Sequence, residues 1–177
     1  MTPEQEFVIQ CEQLADTAKS LGVPDIGNYT NLKEFITAVR LGHKLPKKKN
    51  GKHQYAGEDA QTQDGKKVEY KSTIEKNCKG TYNGVSVYDD FEELKKYLKN
   101  KILDIPEHYY VRFVGLRIVE CWTMTGEQAY NILLPKFTNQ FDRRQKRLAE
   151  KKQPLKDPRF GADICWTEIK DHGKKVI

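Results

Sequence analysis

The chain predicts an α+β architecture, a mixed β-sheet core flanked by helices. Three observations lead there. Helical and strand periodicities are interspersed along the chain without a βαβ rhythm. A glycine-bearing turn signal joins two strand-like stretches, residues 55–62 and 67–74. Finally, 177 residues with 37% hydrophobic and 32% charged side chains suit a single globular domain, 1–177, with a core of its own.

Thr2 can cap a first helix that has Pro3 in its first turn, where the missing N–H is not needed. Phe7, Cys11, Leu14, Ala18 and Leu21 then share one stripe, and Gly22 ends the helix. A second helix is expected from near Asn31, with Glu34 completing a capping box. Leu32, Phe35, Ile36 and Val39 lie on its apolar face, and Gly42 stops it. Together the two helices, within residues 1–42, carry more apolar stripe than one small core needs. They pack on their own sheet, or they also form a dimer seam.

Beyond the two strand-like stretches, a helix over 89–103 keeps Phe91, Leu94, Leu98 and Ile102 at helical spacing. Residues 109–114 and 116–124 read as a strand pair turning at Gly115. Thr125 opens a last helix through Leu133, Leu134 and Phe137, with Pro135 placed to kink it, and 162–169 reads as a closing strand.

Several function classes drop out on composition. No apolar run approaches the about 18 residues of a membrane helix. The opening "MTPEQEFVIQ" is not a signal peptide, so a cytoplasmic protein without a membrane partner is expected. Cys11, Cys78, Cys121 and Cys165 form no CxxC pair, which reads as reduced thiols rather than a structural zinc site. The net charge of +6 favours a polyanionic partner, and its distribution says more. Residues 40–53, "RLGHKLPKKKNGKH", hold six Lys/Arg and no acid, and 142–156, "DRRQKRLAEKKQPLK", form a second basic block. A lone charge run is usually a solvated face. Two runs of one sign, each beside a candidate active element, favour phosphate contact, with Lys47, Lys48 and Lys49 the foremost contacts.

The stretch "GEDAQTQDGKKVEYKST" carries the chemistry. With Gln63-Asp64-Gly65 as a three-residue hairpin loop, Gly65 takes the left-handed position. Thr62 then faces Lys66, and counting back sets Asp59 opposite Glu69. Lys71 projects from the same face as Glu69 because side chains alternate along a strand. Facing Cβ atoms in such a pair are about 5 Å apart. Two carboxylates that close repel unless a cation lies between them, and oxygen ligands suit Mg²⁺. A cation there can polarise a phosphate, while Lys71 holds the attacking water or lowers its pKa. Tyr70 points the other way, into the core. A solvated hairpin with a Glu-Lys pair is the plainer alternative, since E-x-K alone is a weak signal.

This arrangement resembles the PD-(D/E)xK nuclease superfamily, with Glu58 in place of the proline. Within it, the quoted stretch is similar to that of PvuII-type type II restriction endonucleases, which have Asn-Asp-Ala and Glu-Leu-Lys-Ser there. "GVPDIGNYTNLKEF", "CKGT" around Lys79-Gly80 and the ending "KDPRFGADICWTEIKDHGKKVI" also look like that family. The resemblance covers most of the chain, is weakest over 85–142 and includes an insertion near 100–107. It implies a restriction-endonuclease-like core in which Asp59 and Glu69 hold Mg²⁺ and Lys71 assists the nucleophile. It further implies an N-terminal dimerisation region (1–42), a catalytic and DNA-recognition region (43–177) and a homodimer that cuts double-stranded DNA at a short palindrome.

Two departures from the family matter for specificity. Where the family carries a histidine cluster after the Lys-Gly pair, this chain reads "TYNGVSVYDD", and where it carries a minor-groove aspartate, near Tyr29, the chain reads "IGNYTN". Catalytic residues therefore carry over, and the recognised sequence does not. Lys79, Tyr82, Asn83 and Ser86 are the DNA contacts expected instead, with Asn83 able to read adenine through two hydrogen bonds. A junction resolvase or repair nickase on the same core, or a DNA-binding protein without catalysis, are the alternatives.

Overall fold

The computed structural model describes residues 3–22, 29–44, 59–84, 88–150 and 161–177. The chain divides into two compact units, Met1–Gly65 and Lys66–Ile177.

In the first unit, α1 spans Pro3–Ser20 and α2 spans Tyr29–Leu41. Thr2, the expected cap of α1, lies outside the described residues. Gly22 and Gly42 follow the two helices with φ of 86° and 69°, the left-handed C-terminal stop that the sequence signals. At Gly42 the motif is complete: Gly42 N–H donates to the Val39 carbonyl and His43 N–H to that of Ala38. The second helix, expected from near Asn31, runs from Tyr29. Of the expected strand 55–62, residues 55–58 lie outside the described residues, and β1 covers Ala60–Gln61. Backbone bonds in both directions tie Gln61 to Lys44.

The second unit is built on strands β2 (Lys67–Thr73), β4 (Glu107–Val114), β5 (Arg117–Thr125) and β7 (Lys174–Lys175), side by side in that order. β2 and β4 are parallel, whereas β4–β5 and β5–β7 are antiparallel, so the sheet is mixed. A parallel neighbour demands a long crossover. It consists of β3 (Gly80–Asn83) and α3 (Phe91–Leu98), the latter continued by a wider π turn over Lys99–Leu103. Asp90 caps α3 by accepting from Glu93 N–H. β3 pairs antiparallel with β6 (Gly161–Ile164) in a separate two-stranded ribbon.

α4, Gly126–Ala149, starts from a Thr125–Gln128 capping box and continues well past Phe137. Phe137 and Phe141, one turn apart, are both buried, which keeps the helix packed beyond the missing N–H of Pro135. The expected closing strand over 162–169 ends at Ile164, and Trp166–His172 form α5. The Glu168 carboxylate accepts from Cys165 N–H at 2.8 Å, satisfying a donor at the start of a helix that the apolar pattern had suggested as strand. Leu94, Leu98, Ile102, Met124, Leu133, Phe137, Ile164 and Ile169 make up the centre of the core. No described helix is long and apolar enough to cross a membrane.

Candidate active site

The parallel register of β2 and β4 sets the site. Glu69 lies beside His108, and Lys71 beside Tyr110. Residues in register on neighbouring strands share a face, so these four side chains stand together. Val68 and Tyr70 alternate to the opposite face and are buried there, as expected for Tyr70.

Lys71 Nζ donates to Glu69 Oε1 at 2.5 Å, both side chains about one-fifth exposed, at 20% and 19%. The strand lying over this face is β3. It turns Tyr82 inward, 6% exposed, so that the Lys71 ammonium sits 4.7 Å from the Tyr82 ring centroid. The Tyr82 hydroxyl in turn lies 3.0 Å from both His108 Nδ1 and the Tyr110 hydroxyl. His108 Nε2 lies 2.9 Å from the Ile102 carbonyl oxygen.

The direction of these bonds follows from donor and acceptor capacity. A carbonyl only accepts, so the imidazole proton is on Nε2. Complete burial pushes the His108 pKa below its ordinary value, leaving the ring neutral and Nδ1 an acceptor. The Tyr82 hydroxyl therefore donates to His108, and the Tyr110 hydroxyl donates to Tyr82. Burial also raises the Tyr110 pKa, so that hydroxyl keeps its proton.

The other sequence-derived residues fall as follows. Asp59 belongs to the first unit, half-buried and directly ahead of β1. The turn after it has the conformation expected from the sequence: Gly65 N–H donates to the Thr62 carbonyl, and Gly65 takes φ of 85°. Lys79 pairs with Glu75 at 3.0 Å, and that carboxylate holds its ammonium above the usual range. Asn83 is exposed on β3. Tyr82, expected as a DNA contact, is buried, with its hydroxyl bonded to both His108 and Tyr110. Lys47, Lys48, Lys49 and Ser86 lie outside the described residues. In the second basic block, Arg144 bonds Asp89 and the Tyr88 carbonyl, while Arg143, Lys146 and Arg147 are exposed on α4.

His108 and Tyr110 are the site residues that sequence reasoning missed. Their alternation in "EHYYVRFV" marks a shared strand face, but nothing local says which strand lies beside it. Among the described residues, no three His, Cys, Asp or Glu side chains gather to hold a metal ion. A carboxylate such as that of Glu69 is of the donor type that suits a hard cation, because Mg²⁺ takes one or two carboxylates beside water and phosphate. No protein-family model matches the chain, and no curated protein matches it either.

Proposed function

We propose that this chain is a Mg²⁺-dependent type II restriction endonuclease that hydrolyses phosphodiester bonds of double-stranded DNA as a homodimer. The observation that supports it best is the Glu69–Lys71 pair, an acid and an amine held 2.5 Å apart on one half-buried strand face. Glu69 would hold the cation together with Asp59, which the hairpin register read from the sequence sets across from it. Bound there, Mg²⁺ supplies Lewis-acid polarisation of a phosphate oxygen.

The chain's own residues do the rest. Lys71 offers ammonium N–H donors to the attacking water and to the charge that builds on the phosphate. In the reaction, water oxygen bonds to phosphorus and the bond to one sugar oxygen breaks. One water proton goes to solvent, and the leaving oxygen takes up another, so water is the only co-reactant. Lys47, Lys48 and Lys49 supply phosphate contacts, while Lys79, Asn83 and Ser86 lie along the segment assigned to DNA reading. A palindromic double-strand cut calls for two copies, each bringing one site. The exposed apolar side chains Phe7 and Leu14 on α1, with Leu21 just beyond it, are the surface proposed for that pairing.

Incubating the protein with a plasmid library and Mg²⁺, then sequencing the ends, tests this reading. Ends that converge on one short palindrome support it. Ends scattered at junctions or lesions would favour a structure-specific nuclease instead.

A further inference from the structure

The hydrogen-bonded chain under the Glu69–Lys71 pair has no part in the hydrolysis described above, yet it is built at some cost. Three polar side chains, Tyr82, His108 and Tyr110, are almost wholly buried. Such groups are tolerated only when their hydrogen bonds close, and here they close in one direction, from Tyr110 to Tyr82 to His108 to the Ile102 carbonyl. The consequence is geometric. A phenol with its oxygen tied at two points, 3.0 Å each, cannot swing, so its ring face is held in place.

That face carries the Lys71 ammonium 4.7 Å from its centroid, within the distance at which a ring quadrupole attracts a cation. The backbone makes room for the same arrangement. A Cβ at position 80 would fall 2.5 Å from Tyr110 Cε1 and 3.1 Å from Lys71 Cγ, so the aliphatic stem of Lys71 and the Tyr110 ring both occupy the space beside Gly80. Lys71 is thus held on separate sides, by a carboxylate and by a ring. The two holds differ in kind. The Glu69 carboxylate is open to competition from any other cation, whereas the ring face attracts the ammonium without taking part in oxygen coordination.

We propose that Tyr82 is a positioning residue for Lys71: its ring face holds the ammonium, and its hydroxyl, tied to His108 and Tyr110, holds the ring. The proposal rests on Lys71 being the catalytic amine of the nuclease reading. In this role Tyr82 acts through Lys71.

The test replaces Tyr82 with phenylalanine and then with progressively fluorinated phenylalanines, which drain the negative ring face at nearly constant volume. One readout is the ε-methylene proton resonance of Lys71 in protein carrying ¹³C-lysine, assigned by its loss in Lys71→Arg. It should lie upfield in the parent, move part of the way back in Tyr82→Phe, whose ring has lost both hydroxyl bonds, and move further back as fluorines are added. The second readout is cleavage with Mg²⁺: kcat should fall across the fluorine series by about tenfold to thirtyfold in all, with KM unchanged. An unshifted Lys71 resonance in the parent, or a kcat that is flat across the series, overturns the proposal. If the parent cuts no DNA, the nuclease reading fails, and the resonance alone decides whether Tyr82 holds Lys71.

Discussion

His108 and Tyr82 share a hydrogen bond of 3.0 Å in which the imidazole Nδ1 accepts, while Nε2 donates to Ile102 across 2.9 Å. Both ring nitrogens are therefore committed in the neutral state. A second proton would reverse the hydrogen bonds through Tyr82 and leave a charge in a fully buried position, so burial holds the His108 pKa down. The unfolded chain has its histidine near the ordinary value of about 6.5. A depressed folded pKa contributes stability that is complete above that value and is lost as pH falls below it. The unfolding temperature should accordingly drop between about pH 7 and pH 5 more steeply in the parent than in His108→Gln. Parallel slopes would contradict the assignment.

Gly80→Ala places a methyl group against the Tyr110 ring, backed by Lys71 Cγ. Overpacking of this kind costs about 1–3 kcal/mol, which denaturant unfolding should show. A Gly80→Ala variant as stable as the parent would mean that the ring and the lysine stem have room to move.

Cysteine reactivity should split in two. Cys78 and Cys121 are buried, and burial pushes both thiols up to about 12. Cys11 and Cys165 are exposed. Iodoacetamide at neutral pH should label Cys11 and Cys165 in the folded protein and reach the other two only after denaturation. Early labelling of Cys78 would contradict the packing around Tyr110, whose carbonyl its thiol faces at 3.6 Å.

Phe7, Leu14 and Leu21 recur every seven residues on or just beyond α1 and are 66%, 46% and 55% exposed. In a homodimeric enzyme, Phe7→Glu combined with Leu14→Glu should shift sedimentation from dimer to monomer without unfolding the chain. The monomer should nick DNA rather than cut both strands. A parent that is monomeric at micromolar concentration would contradict the proposed assembly.

Much of the architecture was legible because its signals are local. The glycines after α1 and α2, the turns at Gly65 and Gly115, and Thr125 at the head of α4 each declare a backbone geometry within a few residues. The Glu69–Lys71 pair was equally legible, since alternation along one strand is enough to put both on one face. What local patterns miss is lateral. That β2 lies parallel to β4, bringing His108 and Tyr110 beside Glu69 and Lys71, depends on a crossover no short pattern encodes. The same gap hides the burial of Tyr82, which sits in a polar segment yet is buried on β3, the strand paired with β6. Helix α5 was misread because the Ile164, Trp166 and Ile169 pattern is too short to separate a strand from one helical turn.

The central claim is that Asp59, Glu69 and Lys71 carry metal-dependent DNA hydrolysis, and one comparison tests it most directly. Initial cleavage of supercoiled plasmid bearing the mapped site is measured in Mg²⁺ for the parent and for Asp59→Ala, Glu69→Ala and Lys71→Ala. Each variant should lose about a hundredfold or more in rate, the scale of removing a group that stabilises the transition state. Metal-free DNA binding should survive in the two carboxylate variants, because a carboxylate lost is repulsion against phosphate lost. Three variants that cut near the parent rate would contradict the account.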